Sequence, residues 1–150
     1  MDAERTFIMV KPDGVQRGIM GEVFKRYEQK GLKLVAAKFH QPNADVVASH
    51  YSEHKEKPFF GSLCDFITQG PVFCMIWEGP EAVKIGRKLV GVTSPVESAP
   101  GTIRGDFGVV THKNLVHASS SVEDATRECN LWFKPEEIVS WEKTVAGWIV

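Results

Sequence analysis

Two residues in the last third of the chain have types and spacing that suit phosphate chemistry. His117 ends a short apolar run of Leu115 and Val116, and Glu128 follows it on a segment with helical character. An unperturbed imidazole has a pKa of about 6.5, so most of it is neutral at physiological pH and carries a free nitrogen lone pair. Such a nitrogen can attack phosphorus, and a carboxylate that accepts the second ring N–H fixes its tautomer and ring angle.

A helix is predicted to begin just after this histidine. Ser120 and Glu123 have the Ser-x-x-Glu spacing of a capping box, and the predicted helix extends to about Trp132. Its first amide groups and the positive end of its dipole favour an anion near His117. The competing interpretation is a strand-end histidine without a catalytic role, and on this motif alone that interpretation is the commoner one.

Phosphoryl transfer also needs fixed cations and hydrogen-bond donors, because charge spreads over the equatorial oxygens of the transferring group. Arginine suits this task through its planar fork, and lysine acts as a point charge. Taken singly, each cation has a structural alternative. Lys11 is then a solvated turn lysine and Arg104 a loop anchor. Arg87 is then half of a surface pair with Glu81 or Asp106. The candidate residues of suitable type are Lys11, Arg87, Thr93 and Arg104.

The two best-known phosphate-binding loops are not found in the sequence. The Lys11-Pro12-Asp13-Gly14 turn lacks the Gly-x-x-x-x-Gly-Lys-Ser/Thr arrangement, and there is no Gly-x-Gly-x-x-Gly fingerprint. A nucleotide can still be held by stacking. Phe59 and Phe60 are either core residues or, for one of them, a platform for a nucleobase.

Composition favours one compact domain over residues 1–150, because 43% of the residues are hydrophobic. Lysine and arginine total 18 against 19 acidic residues, which gives a net charge of −1. No global basic field therefore favours nucleic acid or a membrane surface, and any anion site must be local. No clustered ligand motif indicates a protein-bound metal.

The chain is expected to be soluble and cytoplasmic. Residues 1–5 lack an apolar signal core, and no apolar stretch approaches the roughly 20 residues that a membrane-spanning helix needs. Cys64, Cys74 and Cys129 are odd in number and lack CxxC spacing, which favours reduced, mostly buried thiols over disulfides or a zinc site.

Hydrophobic periodicity predicts alternating strands and helices. Residues 11–14 are predicted as a turn, residues 43–70 as mostly helical with a break at Pro58, and residues 91–108 as a long irregular loop of the kind that often carries function. Strands are predicted at 6–10, about 32–38, 72–77 and 116–117, and helices at 20–30, 81–90 and 121–132.

This order predicts an α/β (α+β) fold of the ferredoxin-like type. In that split βαβ sandwich, helices cover a four-stranded antiparallel sheet. A doubly wound parallel sheet is the competing arrangement, and periodicity alone does not decide between the two.

Four short segments carry a joint signal: residues 5–14 (RTFIMVKPDG), 58–60 (PFF), 100–107 (PGTIRGDF) and 114–119 (NLVHAS). Taken together, they resemble the nucleoside diphosphate kinase family. They occur in the family's order and at its separations, and they span nearly the whole chain. The resemblance implies that the γ-phosphate of a nucleoside triphosphate such as ATP passes to a nucleoside diphosphate by a ping-pong route, through a phosphohistidine on His117.

The same resemblance implies roles for further residues. Glu128 orients His117, Asn114 and Lys11 reach the ribose hydroxyls, and Phe59 stacks on the base with few base-edge hydrogen bonds. Acceptance of many nucleobases is implied, because stacking with few base-edge hydrogen bonds does not distinguish one base from another. Magnesium is implied to bind through the nucleotide phosphates and waters. The assembly is implied to be a homo-oligomer, a hexamer or a tetramer built from a common dimer; a hexamer with residues 93–101 at its contacts is expected. The residues implied around the phosphates are Lys11, Tyr51, Arg87, Thr93 and Arg104.

The chain departs from the family pattern at position 120, where the family usually has aspartate and this chain has Ser120. Ser120 is still expected to cap the helix. Two other functions stay open: a nucleotide-binding regulatory protein with weakened or lost turnover, and a histidine-dependent phosphatase that passes phosphate to water. All candidate positions hold the expected residue types, which favours the kinase.

Overall fold

A computed structural model describes residues 3–150 of the chain. Strands and helices alternate along this range as the periodicity predicts. The strands are β1 (Glu4–Val10), β2 (Lys33–His40), β3 (Val72–Gly79) and β4 (Val116–Ala118). The α-helices are α1 (Pro12–Gln16), α2 (Met20–Lys30), α3 (Ala44–His50), α4 (Phe60–Thr68), α5 (Ala82–Val90), α6 (Ile103–Phe107) and α7 (Val122–Trp132).

The four strands form one sheet in the order β2-β3-β1-β4. Each neighbouring pair is antiparallel, and β3 lies between β1 and β2. The predicted ferredoxin-like split βαβ arrangement is therefore confirmed. The doubly wound alternative is wrong because it requires parallel neighbours.

Both faces of the sheet are buried, and alternate residues of β1 show this most clearly. Phe7 and Met9 pack on one face with residues of α3, α4 and α7, whereas Ile8 and Val10 pack on the other with residues of α2 and α5. His117 pairs with Met9 across the β1–β4 ladder, so it lies on the face that α7 covers. The sheet thereby places the predicted nucleophile against the helix that carries Glu128.

Two segments expected to lack regular structure contain short helices. Residues 11–14 do not form a simple turn, because Pro12 stands at the first position of α1, where its missing N–H removes no helical hydrogen bond. The loop predicted at 91–108 contains α6, and Thr102 caps this helix by accepting a hydrogen bond from the backbone N–H of Gly105 at 3.0 Å.

The cap of α7 lies one residue later than predicted. Ser121 has an extended backbone and its hydroxyl accepts a 3.0 Å hydrogen bond from the backbone N–H of Asp124. Ser120 instead donates its hydroxyl to the Asp124 carboxylate. The expectation that Ser120 caps the helix is wrong, because a run of three serines leaves the cap position ambiguous in the sequence.

The cysteines behave as predicted: Cys74 and Cys129 are buried, Cys64 is partly buried, and all three are free thiols. None of the helices within residues 3–150 has the length and apolarity needed to cross a bilayer.

Candidate active site

His117 and Glu128 form the hydrogen bond that the sequence suggested. The Nε2 atom of His117 lies 2.9 Å from Oε1 of Glu128, whose residue is only 4% exposed. An ionised carboxylate only accepts hydrogen bonds, so Nε2 carries the proton and donates it. The lone pair is therefore on Nδ1, which is the nitrogen available for attack if His117 is the predicted nucleophile.

Ser119 holds the carboxylate in place, a contact that no motif had indicated. Its hydroxyl donates to Oε1 of Glu128 at 2.7 Å, and its Oγ accepts from the backbone N–H of Phe7 at 3.1 Å. Burial raises the pKa of Glu128, while the hydrogen bond from Ser119 acts in the opposite direction. Glu128 is thus fixed by β1 as well as by its own helix.

A second histidine packs against the nucleophile, and sequence reasoning missed it. The ring centroids of His50 and His117 lie 4.5 Å apart in an edge-to-face arrangement. His50 is 3% exposed, and its Nδ1 accepts a 3.0 Å hydrogen bond from the indole N–H of Trp132. Burial keeps the pKa of His50 well below its ordinary value, so this ring is neutral. The hydrogen bond from Trp132 holds it in place against His117.

His117 is itself neutral, which its proposed chemistry requires. Burial lowers its pKa well below the ordinary value, and the neighbouring charges of Lys11 and Arg104 act in the same direction. A neutral imidazole keeps the Nδ1 lone pair available over the whole physiological pH range.

Three predicted site residues form one hydrogen-bonded chain beside the nucleophile. The Lys11 ammonium donates to Oδ1 of Asn114 at 2.9 Å, and Nδ2 of Asn114 donates to the carbonyl oxygen of Thr93 at 3.1 Å. Burial and the nearby Arg104 lower the pKa of Lys11 to about 8. This chain ties the loop after α5 to the end of β1.

Arg104 acts as a structural anchor, the alternative that the sequence left open. Its guanidinium donates to the carbonyl oxygens of Asn114 at 3.2 Å, Val116 at 2.6 Å and Val92 at 3.2 Å. It is 4% exposed, and burial lowers its pKa to about 10. Its charge nevertheless lies close enough to His117 to lower the pKa of that ring.

Arg87 reaches the turn that follows the nucleophile. Its Nη1 donates to the carbonyl oxygen of Ala118 at 3.2 Å. Asp106 pairs instead with Arg26 at 2.8 Å, and within residues 3–150 Arg87 forms no salt bridge with Glu81. The surface pair considered for Arg87 is therefore wrong.

A strained residue precedes β4 and was not signalled by the sequence. Leu115 has a φ of 77° although it is not glycine, a conformation that costs of order 1–3 kcal/mol. Two contacts hold it: its N–H donates to Oδ2 of Asp13 at 3.0 Å, and its carbonyl oxygen accepts from the N–H of Lys11 at 2.8 Å. These contacts fix the backbone between Asn114 and His117.

The two aromatic candidates and Tyr51 lie on the α3–α4 side of the site. Phe59 is 48% exposed, whereas Phe60 packs against the core, so Phe59 is the one with a face free for stacking. The Lys57 ammonium lies 5.6 Å from the Phe59 ring centroid. The Tyr51 hydroxyl is buried and has no hydrogen-bond partner among residues 3–150. Such a group is costly unless a ligand satisfies it.

His50, His117 and Glu128 form a cluster of side chains that could in principle ligate a metal ion. One ligand atom each from His50, His117 and Glu128 lie within 4.8 Å of one another. His50 already accepts from Trp132, His117 already donates to Glu128, and the charges of Lys11 and Arg104 oppose a cation at this position. The cluster therefore suits a hydrogen-bonded nucleophile better than a resident metal.

A neutral histidine that a carboxylate orients among fixed cations suits phosphoryl transfer, and this site on a ferredoxin-like sheet is compatible with a phosphotransferase. The family model described as nucleoside diphosphate kinase matches residues 4–138. The chain belongs to the nucleoside diphosphate kinase family.

Relatives and solved structures agree with this assignment. The chain is 56% identical to the nucleoside diphosphate kinase of Macrococcus caseolyticus, over 97% of this chain and 99% of that one. It is 57% identical to that of Archaeoglobus fulgidus, over 97% of each chain. The crystal structure of a nucleoside diphosphate kinase family protein from Babesia bovis matches with a TM-score of 0.97 and 74% identity, over 98% of this chain and 99% of that one. A Halobacterium salinarum nucleoside diphosphate kinase in complex with CDP matches with a TM-score of 0.95 and 48% identity, over 100% and 99% of the two chains.

Proposed function

We propose that this nucleoside diphosphate kinase family member transfers the γ-phosphate through a phosphohistidine on Nδ1 of His117. The observation that carries the proposal is the 2.9 Å contact between Nε2 of His117 and the buried Glu128 carboxylate. That contact leaves the lone pair on Nδ1, the ring nitrogen that does not face Glu128, and keeps the ring from rotating.

The chemical step follows from this geometry. The Nδ1 lone pair attacks the γ-phosphorus, the bond from that phosphorus to the β-phosphate oxygen breaks, and the nucleoside diphosphate leaves with the bonding electron pair. Positive charge develops on the imidazole as its lone pair is used. Glu128 stabilises that charge through the Nε2–H bond. A second nucleoside diphosphate then takes the phosphoryl group by the reverse step.

The cations and hydroxyls around His117 are proposed to bind the phosphates. Lys11, Arg87 and Arg104 supply positive charge, while the hydroxyls of Tyr51 and Thr93 donate hydrogen bonds. The buried, unpartnered hydroxyl of Tyr51 supports its role, because a phosphate oxygen would satisfy it. Mg²⁺ is proposed to enter with the nucleotide as part of the substrate, screening charge on its phosphates.

The nucleoside is proposed to lie between the Lys11–Asn114 pair and Phe59. The pair offers ammonium and amide donors to the ribose hydroxyls, and the exposed face of Phe59 stacks on the base. Stacking accepts every base, since each has an aromatic face. Broad base tolerance follows.

We also propose that the chain assembles as a hexamer and acts in the cytoplasm on the nucleotide pool. Exposed apolar side chains support an oligomer: Val96, in the 93–101 loop, is 78% exposed, and Trp148, near the carboxyl terminus, is 92% exposed. Light scattering measures the assembly: a mass of four chains would favour the tetramer instead, and a mass of one or two chains would contradict both.

The first test of the function is phosphorylation by γ-labelled ATP with Mg²⁺ and no acceptor. An acid-labile phosphoprotein near one phosphate per subunit is expected, absent in His117→Gln and discharged by GDP into labelled GTP. Release of inorganic phosphate without GDP would instead favour a phosphatase. Nucleotide binding without label would favour the regulatory alternative.

A further inference from the structure

The first turn of α7 places a carboxylate against the turn between β4 and α7, at a position to which the family resemblance assigns no role. Position 120 holds serine where the family usually has aspartate, and the Ser120 hydroxyl donates to Oδ2 of Asp124 at 2.5 Å. The backbone N–H of Asp124 also donates to the Ser121 hydroxyl at 3.0 Å. The turn therefore keeps a carboxylate, but it comes from the first turn of α7.

We propose that Asp124 is a positioning residue for the phosphoryl-transfer site and that, held by Ser120, it replaces the carboxylate missing at position 120. The proposal deepens the proposed function and rests on it. On this proposal, restoring aspartate at position 120 alone does not raise the rate.

The residues that directly follow His117 hydrogen-bond to Arg87 and to Glu128. The carbonyl oxygen of Ala118 accepts from Arg87 at 3.2 Å, and the hydroxyl of Ser119 donates to Glu128 at 2.7 Å. Any shift of the turn displaces a phosphate-binding arginine and the carboxylate that orients His117 together. Ser120 is the next residue along this turn, so its bond to Asp124 limits such a shift.

The Asp124 charge also acts on the nucleophile. Burial and the nearby Lys11 and Arg104 lower the pKa of His117, and the Asp124 carboxylate acts in the opposite direction. This contribution supports the positioning role, which rests on the hydrogen bonds of the turn.

A swap of the two side chains tests the proposal. Ser120→Asp places two carboxylates in contact one helical turn apart, and Asp124→Ser removes the only charge of the pair. We expect each single variant to lower the rate of phosphohistidine formation at saturating nucleoside triphosphate by about three- to tenfold, as for the loss of one hydrogen bond. The double variant Ser120→Asp/Asp124→Ser restores the pair and should return the rate to within about twofold of the starting protein.

Two further variants separate charge from geometry. Asp124→Asn keeps an acceptor for the Ser120 hydroxyl and should lose less activity than Asp124→Ser. Glu123→Ser is the matched control, because Glu123 is exposed in the same first turn and makes no side-chain hydrogen bond within residues 3–150. It should leave the rate unchanged.

The urea midpoint is measured on every variant to distinguish positioning from stability alone. A fall in the midpoint with an unchanged saturating rate would overturn the proposal. So would a higher rate in Ser120→Asp, or a double variant no faster than the slower single one. Because the unmodified protein is labelled in parallel, failure of the proposed function would show as absence of label in every sample.

Discussion

Replacing the buried carboxylate that orients the nucleophile should slow phosphoryl transfer and at the same time leave the fold as stable or more stable. Glu128→Gln keeps the size of the side chain and an oxygen that can accept from Nε2 of His117. It removes the negative charge that faces the imidazolium formed during attack. The Ser119 hydroxyl, which donates to the same oxygen, keeps an acceptor.

The magnitude follows from the charge assistance that is lost, since the variant keeps a neutral hydrogen bond at the 2.9 Å contact. A hydrogen bond to a charged group contributes about 1.5–3 kcal/mol and a neutral one about 0.5–1.5 kcal/mol, so the substitution removes about 1–1.5 kcal/mol as the ring becomes positive. At about 1.36 kcal/mol per factor of ten, the rate of phosphohistidine formation should fall roughly 5- to 13-fold.

Stability should move in the opposite direction. Burial raises the pKa of Glu128, so the folded state binds its proton more tightly than the unfolded state does. The contribution of this group to stability therefore falls as pH rises through its unfolded and then its folded pKa. Glutamine is neutral at every pH and carries no such cost, so the urea midpoint at pH 7 should be unchanged or higher.

Quenched-flow labelling with γ-labelled ATP measures the rate, and urea unfolding measures the stability. Glu123→Gln is the control, because it removes one negative charge from the same helix at an exposed position. A loss of less than about threefold in Glu128→Gln, or an equal loss in the control, would refute the assignment of Glu128 as the orienting carboxylate.

Three further predictions concern binding, pH and packing. Phe59→Ala should raise the Kd for purine and pyrimidine diphosphates alike by about 5- to 150-fold in equilibrium titrations, because stacking contributes about 1–3 kcal/mol per base; an effect on one base only would contradict this. The pKa of Lys11 is lowered to about 8, so its ammonium loses its charge above that pH, and the affinity for nucleoside diphosphates should fall between pH 7.5 and 9.5. Lys11→Arg should flatten this pH dependence. A flat profile in the unmodified protein would contradict nucleotide binding by the Lys11 ammonium. Gly105→Ala should lower the free energy of unfolding by more than about 2 kcal/mol, because an added Cβ would lie 2.1 Å from the carbonyl oxygen of Ala99. Gly21→Ala, which meets nothing within 4 Å, should leave stability unchanged or raise it by up to about 1 kcal/mol, and equal urea midpoints for the two variants would contradict the packing argument.

Local sequence predicted the longer elements well because their burial is periodic. α2 buries Val23 and Tyr27 one helical turn apart and ends at Gly31, whose φ is 105°. β3 is a continuous apolar run because helices cover both faces of the sheet. Helices α1 and α6 were missed because each has only five residues, too few for a period to show.

The site was harder to predict because its contacts join distant parts of the chain. The motifs near His117 indicated the nucleophile and its carboxylate. Nothing in the sequence placed His50 against that ring, since the contact depends on how α3 packs on β1 and α7. Likewise, the Leu115 backbone is held by Asp13 from the far end of the chain.

The positive charges around His117 have opposite effects on the two reacting groups in the proposed mechanism. Cations are needed to bind the phosphates, yet each of them opposes the positive charge that the ring gains on attack. Glu128 lies on the Nε2 side, within hydrogen-bond distance, and so acts on the ring directly at 2.9 Å. Lys11 is held by Asn114, and Arg104 is held by backbone carbonyl oxygens that include that of Asn114. In the proposed mechanism the positive charge of the ring forms beside the Glu128 carboxylate, and the cations stabilise the negative charge of the nucleotide phosphates in the same step.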